Sequence, residues 1–395
     1  MNYEEIITDP NNLYDALCNS IEESKWKERS QKASLSFLDR IFSLRQRLLD
    51  RTYHSGNEVH FVLYERGKER PITSLDVDDR IVRHALCDYI FMPKIRNKII
   101  YDNGASIEGR GLAFTKKRFD THLRKYFNKY GSNNGFILFS DIQKFYDNIN
   151  HDIAKNMLLD LVEHDEFISW LLDLIFEQFE IDVTGKSEQE IYDIEYGVFN
   201  KLTYKNYNDG PKQRTVKKSI NIGDQLAQVI GVYYPHRVDN YIKTVLGEKY
   251  YARYMDDWYI MHNSKEHLTD ILDSINEQYL ELGLHINFNK TRIIPMTDQF
   301  VFLQTKYNLT ETGKIIHRIN PKRIIAMRRR IKKLYEKVYN GDLPIEAVDG
   351  MFRSWSGNFH RFMSHDQIIN LFELYEDLFD AKLIIRKNKL VIERN

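Results

Sequence analysis

Apolar positions recur every three or four residues in LYDALCNSIEESKWKERS and FLDRIFSLRQRLLD, which predicts helices over residues 1–50. DRIVRHALCDYIFMPKI repeats that pattern, and KKRFDTHLRKYFNKYG predicts an amphipathic helix closed by Gly131. HLTDILDSINEQYLELGL predicts another, ended by Gly283, and a further helix runs from Gly223 to about Leu246. The period changes elsewhere. HFVLYERGKERPI, from His60 to Ile72, predicts a hairpin with Arg66-Gly67-Lys68 at its turn. GFILFSDIQ reads as a buried strand, and KYYARYMDDWYIMHN, Lys249 to Asn263, as strand, tight turn, strand. LHINFNKTRII, FVFLQTKY and KIIHRI predict short strands, and from Pro321 onward the pattern is helical and basic. Residues 180–218, first acidic and then basic and turn-rich, read as an insertion rather than core. Helices and antiparallel strands mix without a βαβ rhythm, so the expected class is α+β.

Composition narrows this picture. The chain has 395 residues, 42% of them apolar, enough for two or three domains. Formal net charge is zero, so a nucleic-acid partner must be met by local basic patches. Two cysteines, Cys18 and Cys87, offer neither a disulfide framework nor zinc spacing. No signal peptide and no apolar run of membrane-spanning length is legible; a cytoplasmic protein without a membrane partner is expected.

Chemistry concentrates in Asp256 and Asp257, adjacent charges inside an aromatic and apolar run. A second pair, Asp78-Asp79, sits at a helix start, where acidic residues complement the dipole. At a turn between strands, two carboxylates raise one pKa or demand a cation, and Mg²⁺ prefers carboxylate oxygens. Asp141, ending the run from Gly135, is the candidate partner on a neighbouring strand; as a favoured cap it equally suits a helix starting at Ile142. Asp141, Ile142, Asp256 and Asp257 form the candidate metal set, able to hold two ions about 4 Å apart.

Tyr254-Met255-Asp256-Asp257 resembles the YxDD box of reverse transcriptases, and Asp141 followed by Tyr146 resembles their first palm motif. Further segments are similar in order: Lys68-Glu-Arg70-Pro-Ile, Asp79-Arg80, Ile100-Tyr101-Asp102 through Gly111, Ile222-Gly223 to Gln228, Leu282-Gly-Leu284 through Lys290-Thr291, Phe302-Leu303, and Ser354-Trp-Ser-Gly357. The resemblance covers residues 60–365 and is to bacterial members, closest in look to defence-associated and diversity-generating groups. It implies a right-hand polymerase: fingers in 1–135, palm in 136–309 with the 180–218 insertion, and a helical thumb in 310–395. It implies RNA-directed DNA synthesis with two Mg²⁺ ions per site (or Mn²⁺), catalysed by Asp141, Asp256 and Asp257. Lys68, Arg70, Tyr146, Ile222, Gly223, Gln228 and Lys290 are then the nucleotide-binding set. A planar guanidinium suits phosphate, and the Tyr146 ring would exclude a 2′-hydroxyl. From the residues alone, Gly223 also suits a helix cap, Lys290 a solvated strand end, and Tyr146 a core aromatic. The sequence departs from the family at Ile222, where Gln is common elsewhere, at Ala227 in place of Ser, and at Gln304 in place of Gly.

Two basic clusters are candidates for nucleic-acid binding: Lys212, Arg214, Lys217 and Lys218, and Lys322, Arg323, Arg328, Arg329, Arg330, Lys332 and Lys333. The second can equally be a solvated helix face. Phosphate contacts of this kind give affinity without sequence choice. The expected partners are dNTPs, an RNA template (a structured noncoding RNA in antiphage defence, or the template of a diversity-generating element), the DNA product, and a second copy or partner protein. No large endonuclease, maturase or RNase H domain is expected after residue 365. A catalytically weak RNA-binding scaffold is the alternative from another class, opposed by the three intact aspartates. A two-metal nuclease is opposed by the Tyr146 and Lys68–Arg70 motifs.

Overall fold

A computed structural model describes residues 2–65, 67–206, 210–387 and 389–394. The turn residue Arg66 lies outside that set. The chain forms two compact units, one of residues 1–119 and 137–293, the other of 120–136 and 294–395.

The first unit opens with helices α1 (Tyr3–Thr8), α2 (Pro10–Ile21), α3 (Glu28–Leu35) and α4 (Phe37–Leu49), then the hairpin β1 (Val59–Glu65) and β2 (Lys68–Ser74). Helix α5 (Val77–Ala85) continues through a π-helical turn, Leu86–Phe91, into α6 (Met92–Ile95). Asp76 caps α5. Asp78 and Asp79 do more than complement the dipole. Asp78 bridges Arg40 and Arg47, and buried Asp79 accepts from the Tyr53 hydroxyl at 2.6 Å and the Gly56 amide at 2.9 Å. Helix α7 (Leu112–Tyr130) and strand β3 (Phe136–Asp141) carry the chain out of this unit and back.

Next come α8 (His151–Leu159), α9 (Glu166–Phe179), β4 (Ile181–Asp182), α10 (Glu188–Tyr196) and β5 (Thr215–Val216). The segment expected to be an irregular insertion is therefore organised. Its short strands pair, and Ile181, Val183, Ile191, Ile194, Phe199 and Val216 bury a small core of their own. Charged residues interleave these apolar positions, which hides the small core from the hydropathy pattern. Helix α11 (Gln225–Tyr233) stops before Pro235, α12 (His236–Asn240) resumes, and a π turn, Tyr241–Val245, completes what reads from sequence as one helix. Strands β6 (Tyr251–Tyr254) and β7 (Asp257–His262) and helix α13 (Lys265–Glu281) follow. The predicted strand over 284–291 is instead a turn-rich loop, with a single bridge of Ile286 opposite Ile142 and the Asn287 amide donating to the Asp141 carbonyl at 2.8 Å; β8 is Arg292–Pro295. The main sheet runs β6-β7-β3-β8, so the β6–β7 turn and the end of β3 lie side by side.

In the second unit, β9 (Phe300–Phe302), β10 (Thr305–Leu309) and β11 (Ile315–Ile319) form an antiparallel sheet. Leu303 and Gln304 both have positive φ, 41° and 69°, as a two-residue hairpin turn requires. A glycine would relax that turn; Gln304 occupies it strained. Helices α14 (Pro321–Tyr339), α15 (Ile345–Phe359) and α16 (His365–Phe379) pack around Phe352, Leu371 and Tyr375. The expectation of helix to the end fails after Asp380, where β12 (Ala381–Arg386) and β13 (Lys389–Arg394) make a hairpin whose Leu383, Leu390 and Ile392 join this core.

Candidate active site

The β6–β7 connection is a two-residue turn, with Tyr254 opposite Asp257 and Met255 at φ 55°. It is fastened from beneath by Arg253, an inward residue of β6 with no exposed surface. Its guanidinium donates to Asp239 at 2.7–3.1 Å, to the Val232 carbonyl at 2.8 Å and to the Met255 carbonyl at 3.0 Å. Tyr251 adds a 2.5 Å hydroxyl bond to Asp239. The left-handed turn residue is thus held by a buried, fully partnered ion pair.

Asp141 ends β3 beside this turn, and the Ile142 amide donates to the Asp256 carbonyl at 3.1 Å. No helix starts at Ile142, which removes the capping reading of Asp141. Instead its carboxylate accepts from Lys290 Nζ at 2.7 and 2.8 Å and from Asn287 Nδ2 at 3.0 Å. Lys290 lies in a turn rather than at a strand end, and although its side chain is exposed, its ammonium lies across both Asp141 oxygens. Burial, then the charge of Asp141, raises the Asp256 carboxyl above its ordinary value. Desolvation at the crowded turn, then Asp256 and Asp141, pushes Asp257 up to about 7, although its side chain reaches the surface. Lys290 and Lys68 pull both back down, which places Lys68, the first residue of β2, within electrostatic reach.

This arrangement fits divalent cations. Three carboxylates converge with too little positive charge to neutralise them, and a lysine ammonium already covers both oxygens of one.

Tyr146 begins a 3₁₀ turn after β3 and is half-buried beside the aspartates. Its hydroxyl points to Met255 Sδ at 3.7 Å, and burial, then Asp256, raises it to about 12. A Cβ on Gly231 would stand 2.6 Å from that hydroxyl, so the ring's position depends on a glycine in α11. Gly223 is not a cap; Asp224 caps α11, accepting from the Leu226 amide. Gly223 has φ 118°, and a Cβ there would meet the Thr73 carbonyl at 2.7 Å. The adjacent Ile222 carbonyl accepts from the Thr73 amide at 3.0 Å. The backbone that Gly223 lets approach is therefore β2, which carries Lys68 and Arg70 on its exposed outer half. Gln228 is exposed on α11.

The first basic cluster disperses. Arg214 forms a bidentate pair with Glu188, Lys217 faces Asp152, and Lys212 donates to the Glu180 carbonyl. Lys218 is 4% exposed and donates to the carbonyls of Glu195 and Gly197; burial lowers it to about 8. Placed so, it is a structural link of the 180–218 segment, not a surface contact. On α14, Lys322, Arg329, Arg330, Lys332 and Lys333 are exposed, whereas Arg323 lies over the Phe359 ring and Arg328 donates to the Asn370 carbonyl.

Asn287, Asp239, Arg253 and Gly231 escaped sequence reasoning. A charged residue at an inward strand position, as Arg253 is between Ala252 and Tyr254, was the available signal.

A family model described as reverse transcriptase (RNA-dependent DNA polymerase) matches residues 57–306. No curated protein matches. Among solved structures, apo telomerase from Candida tropicalis is similar at 15% identity and TM-score 0.42, over 82% of this chain and 63% of that one. The same protein truncated from its C-terminal domain gives 14% and 0.41 over 66% and 54%. Telomerase from Candida albicans, in complex with a fragment of telomeric RNA, gives 11% and 0.45 over 81% and 58%. The chain thus spans between half and two thirds of these structures' lengths.

Proposed function

The chain belongs to the reverse transcriptase (RNA-dependent DNA polymerase) family, and from that membership we propose that it synthesises DNA on an RNA template. The observation that carries this is the meeting of Asp141, Asp256 and Asp257 at adjacent strand ends with Lys290 across Asp141. Two Mg²⁺ ions, or Mn²⁺, bound by those carboxylates with the Ile142 backbone beside them, would activate the primer hydroxyl and stabilise departing pyrophosphate. On this reading Lys290 leaves Asp141 for a phosphate oxygen and supplies a proton there. Lys68 and Arg70 extend from β2 toward the triphosphate, and Tyr146, braced on Gly231, closes over the sugar. Ile222 and Gly223 form the floor beside the incoming base, and Gln228 faces the template–primer. Residues 1–135, 136–309 and 310–395 then act as fingers, palm and thumb, with the exposed basic face of α14 on the duplex. The test is primer extension by Asp256→Ala with Asp257→Ala. Incorporation falls about 10⁴-fold or more while circular dichroism and RNA binding persist; undiminished extension overturns the assignment.

The departures at Ile222, Ala227 and Gln304 favour a dedicated template over a generic one. On this reading the template is a structured noncoding RNA, the protein is bacterial and works in the cytoplasm, and its DNA product restricts phage. Phage plating should drop on expression of the locus and recover with the double aspartate variant. Unchanged plating, with substitutions accumulating in a neighbouring repeat, would favour the diversifying role.

A further inference from the structure

At the other end of the β6–β7 hairpin, three side chains converge that the polymerase reading does not use. Glu248 lies just before β6, His262 ends β7, and His267 sits in the first turn of α13. One potential ligand atom from each falls within 4.8 Å of the others. The Glu248 carboxylate is buried, 7% exposed, and its side-chain partner is His267 Nε2 at 2.6 Å. The two imidazoles overlap with centroids 4.0 Å apart. The outer nitrogen of His262, Nδ1, lies 3.1 Å from the Ser264 amide and 3.3 Å from its carbonyl. The Ser264 amide donates to Nδ1, so the ring proton sits on Nε2; an ion bound at Nε2 requires that proton to move to Nδ1, where the Ser264 carbonyl is the acceptor within reach.

We propose that Glu248, His262 and His267 form a binding site for a zinc-class divalent ion, separate from the carboxylates of the polymerase centre. Two imidazoles and one carboxylate suit Zn²⁺ or Co²⁺ better than Mg²⁺, which asks for oxygen ligands. Ligand bonds of about 2.0–2.2 Å at tetrahedral angles place ligand atoms about 3.3 Å apart. The 2.6 Å Glu248–His267 contact must open slightly and the widest separation must close, both by side-chain rotation. The ion takes the lone pair of a neutral imidazole at His267 Nε2, the proton that Nε2 shares with Glu248 moving by way of solvent to Nδ1. With three protein ligands, the fourth position is left for water. The site ties together the two strand ends opposite the Asp256-Asp257 turn, about 17 Å along β7 from Asp257. It clamps the base of the hairpin whose tip carries the aspartates. This inference does not depend on the proposed polymerization.

The test is Co²⁺ and Zn²⁺ binding to the chelator-stripped full chain. The parent and Asp256→Asn/Asp257→Asn should both show the visible bands of tetrahedral Co²⁺ and a Tm raised by a few degrees with Zn²⁺. His262→Gln/His267→Gln should lose both. Glu248→Gln, which keeps the volume and a hydrogen bond, should weaken binding at least tenfold, and it decides the matter if the histidine variant does not fold. Bands that persist in the histidine variant, or unweakened binding by Glu248→Gln, overturn the proposal. So does a signal lost only with the aspartates, which would assign the ion to the polymerase centre.

Discussion

Two charged clusters share the β6–β7 hairpin and are built on opposite principles. Beneath the turn, Arg253 and Asp239 have no exposed surface, and the guanidinium is used on a carboxylate and several carbonyls. At the turn, three carboxylates face Lys290 and Lys68, and burial, then the neighbouring carboxylates, raises the pKa values of Asp256 and Asp257. The buried pair is satisfied, so it fixes geometry. The aspartate cluster is deficient in countercharge, so it has something to gain from a ligand. A charge that is closed on itself supports structure; a charge left in deficit marks where chemistry is to arrive.

Breaking the satisfied cluster should cost most. Asp239→Ala leaves Arg253 buried without its carboxylate, and urea denaturation should show a loss of about 3–5 kcal/mol. A loss below about 1 kcal/mol would mean the pair is not what holds the turn.

The deficient cluster should respond with the opposite sign. Asp257 has its folded pKa raised to about 7, above the unfolded value near 3.9. Between those values the folded state binds more protons, so metal-free protein should lose stability as pH rises from 4 to 7. Asp257→Asn should flatten that slope, and Mg²⁺ should offset it in the parent. A chelated parent whose Tm shows no difference from Asp257→Asn across this window would deny the deficit.

A smaller effect, on selectivity, is expected at Tyr146. Tyr146→Ala removes the ring that rests against Met255 and Gly231. Ribonucleotide use relative to deoxyribonucleotide should rise on the order of 10-fold or more, the 1–3 kcal/mol typical of a steric pocket. Unaltered discrimination with lower Tm would make Tyr146 a packing residue.

The smallest change concerns the exposed face of α14. Lys322→Gln, Arg329→Gln and Lys333→Gln together should reduce the salt slope of template–primer binding by about 0.7–0.9 for each phosphate no longer neutralised. A slope equal to the parent's leaves this face in solvent.

The carboxylate cluster was legible because its signal is local: two aspartates in an apolar strand–turn–strand, and one at the end of a buried run. The main helices and hairpins were legible by the same periodicity. What was not legible depends on contacts between distant segments. Lys218 reads as part of a basic run, yet folding carries it inside to the carbonyls of Glu195 and Gly197. Gly223 reads as a helix start, and only the path of β2 shows that its missing side chain makes room for Thr73. Asn287 carries no mark of its bond to Asp141, 146 residues away. The C-terminal hairpin was hidden because IIRKNKLVIER alternates too briefly after a long helical stretch.

The contact at Gly223 has a mechanical consequence. Strand β2 is clamped near its inner end, where the Thr73 amide is bonded to Ile222 and its carbonyl lies against the glycine. Its outer end, with Lys68 and Arg70, is exposed and paired with β1 along the hairpin ladder. That is a cantilever: deflection is greatest at the tip and vanishes at the root. A force applied to Lys68 or Arg70 becomes torque at Thr73 and passes through Ile222 into the start of α11, the helix whose Gly231 braces Tyr146.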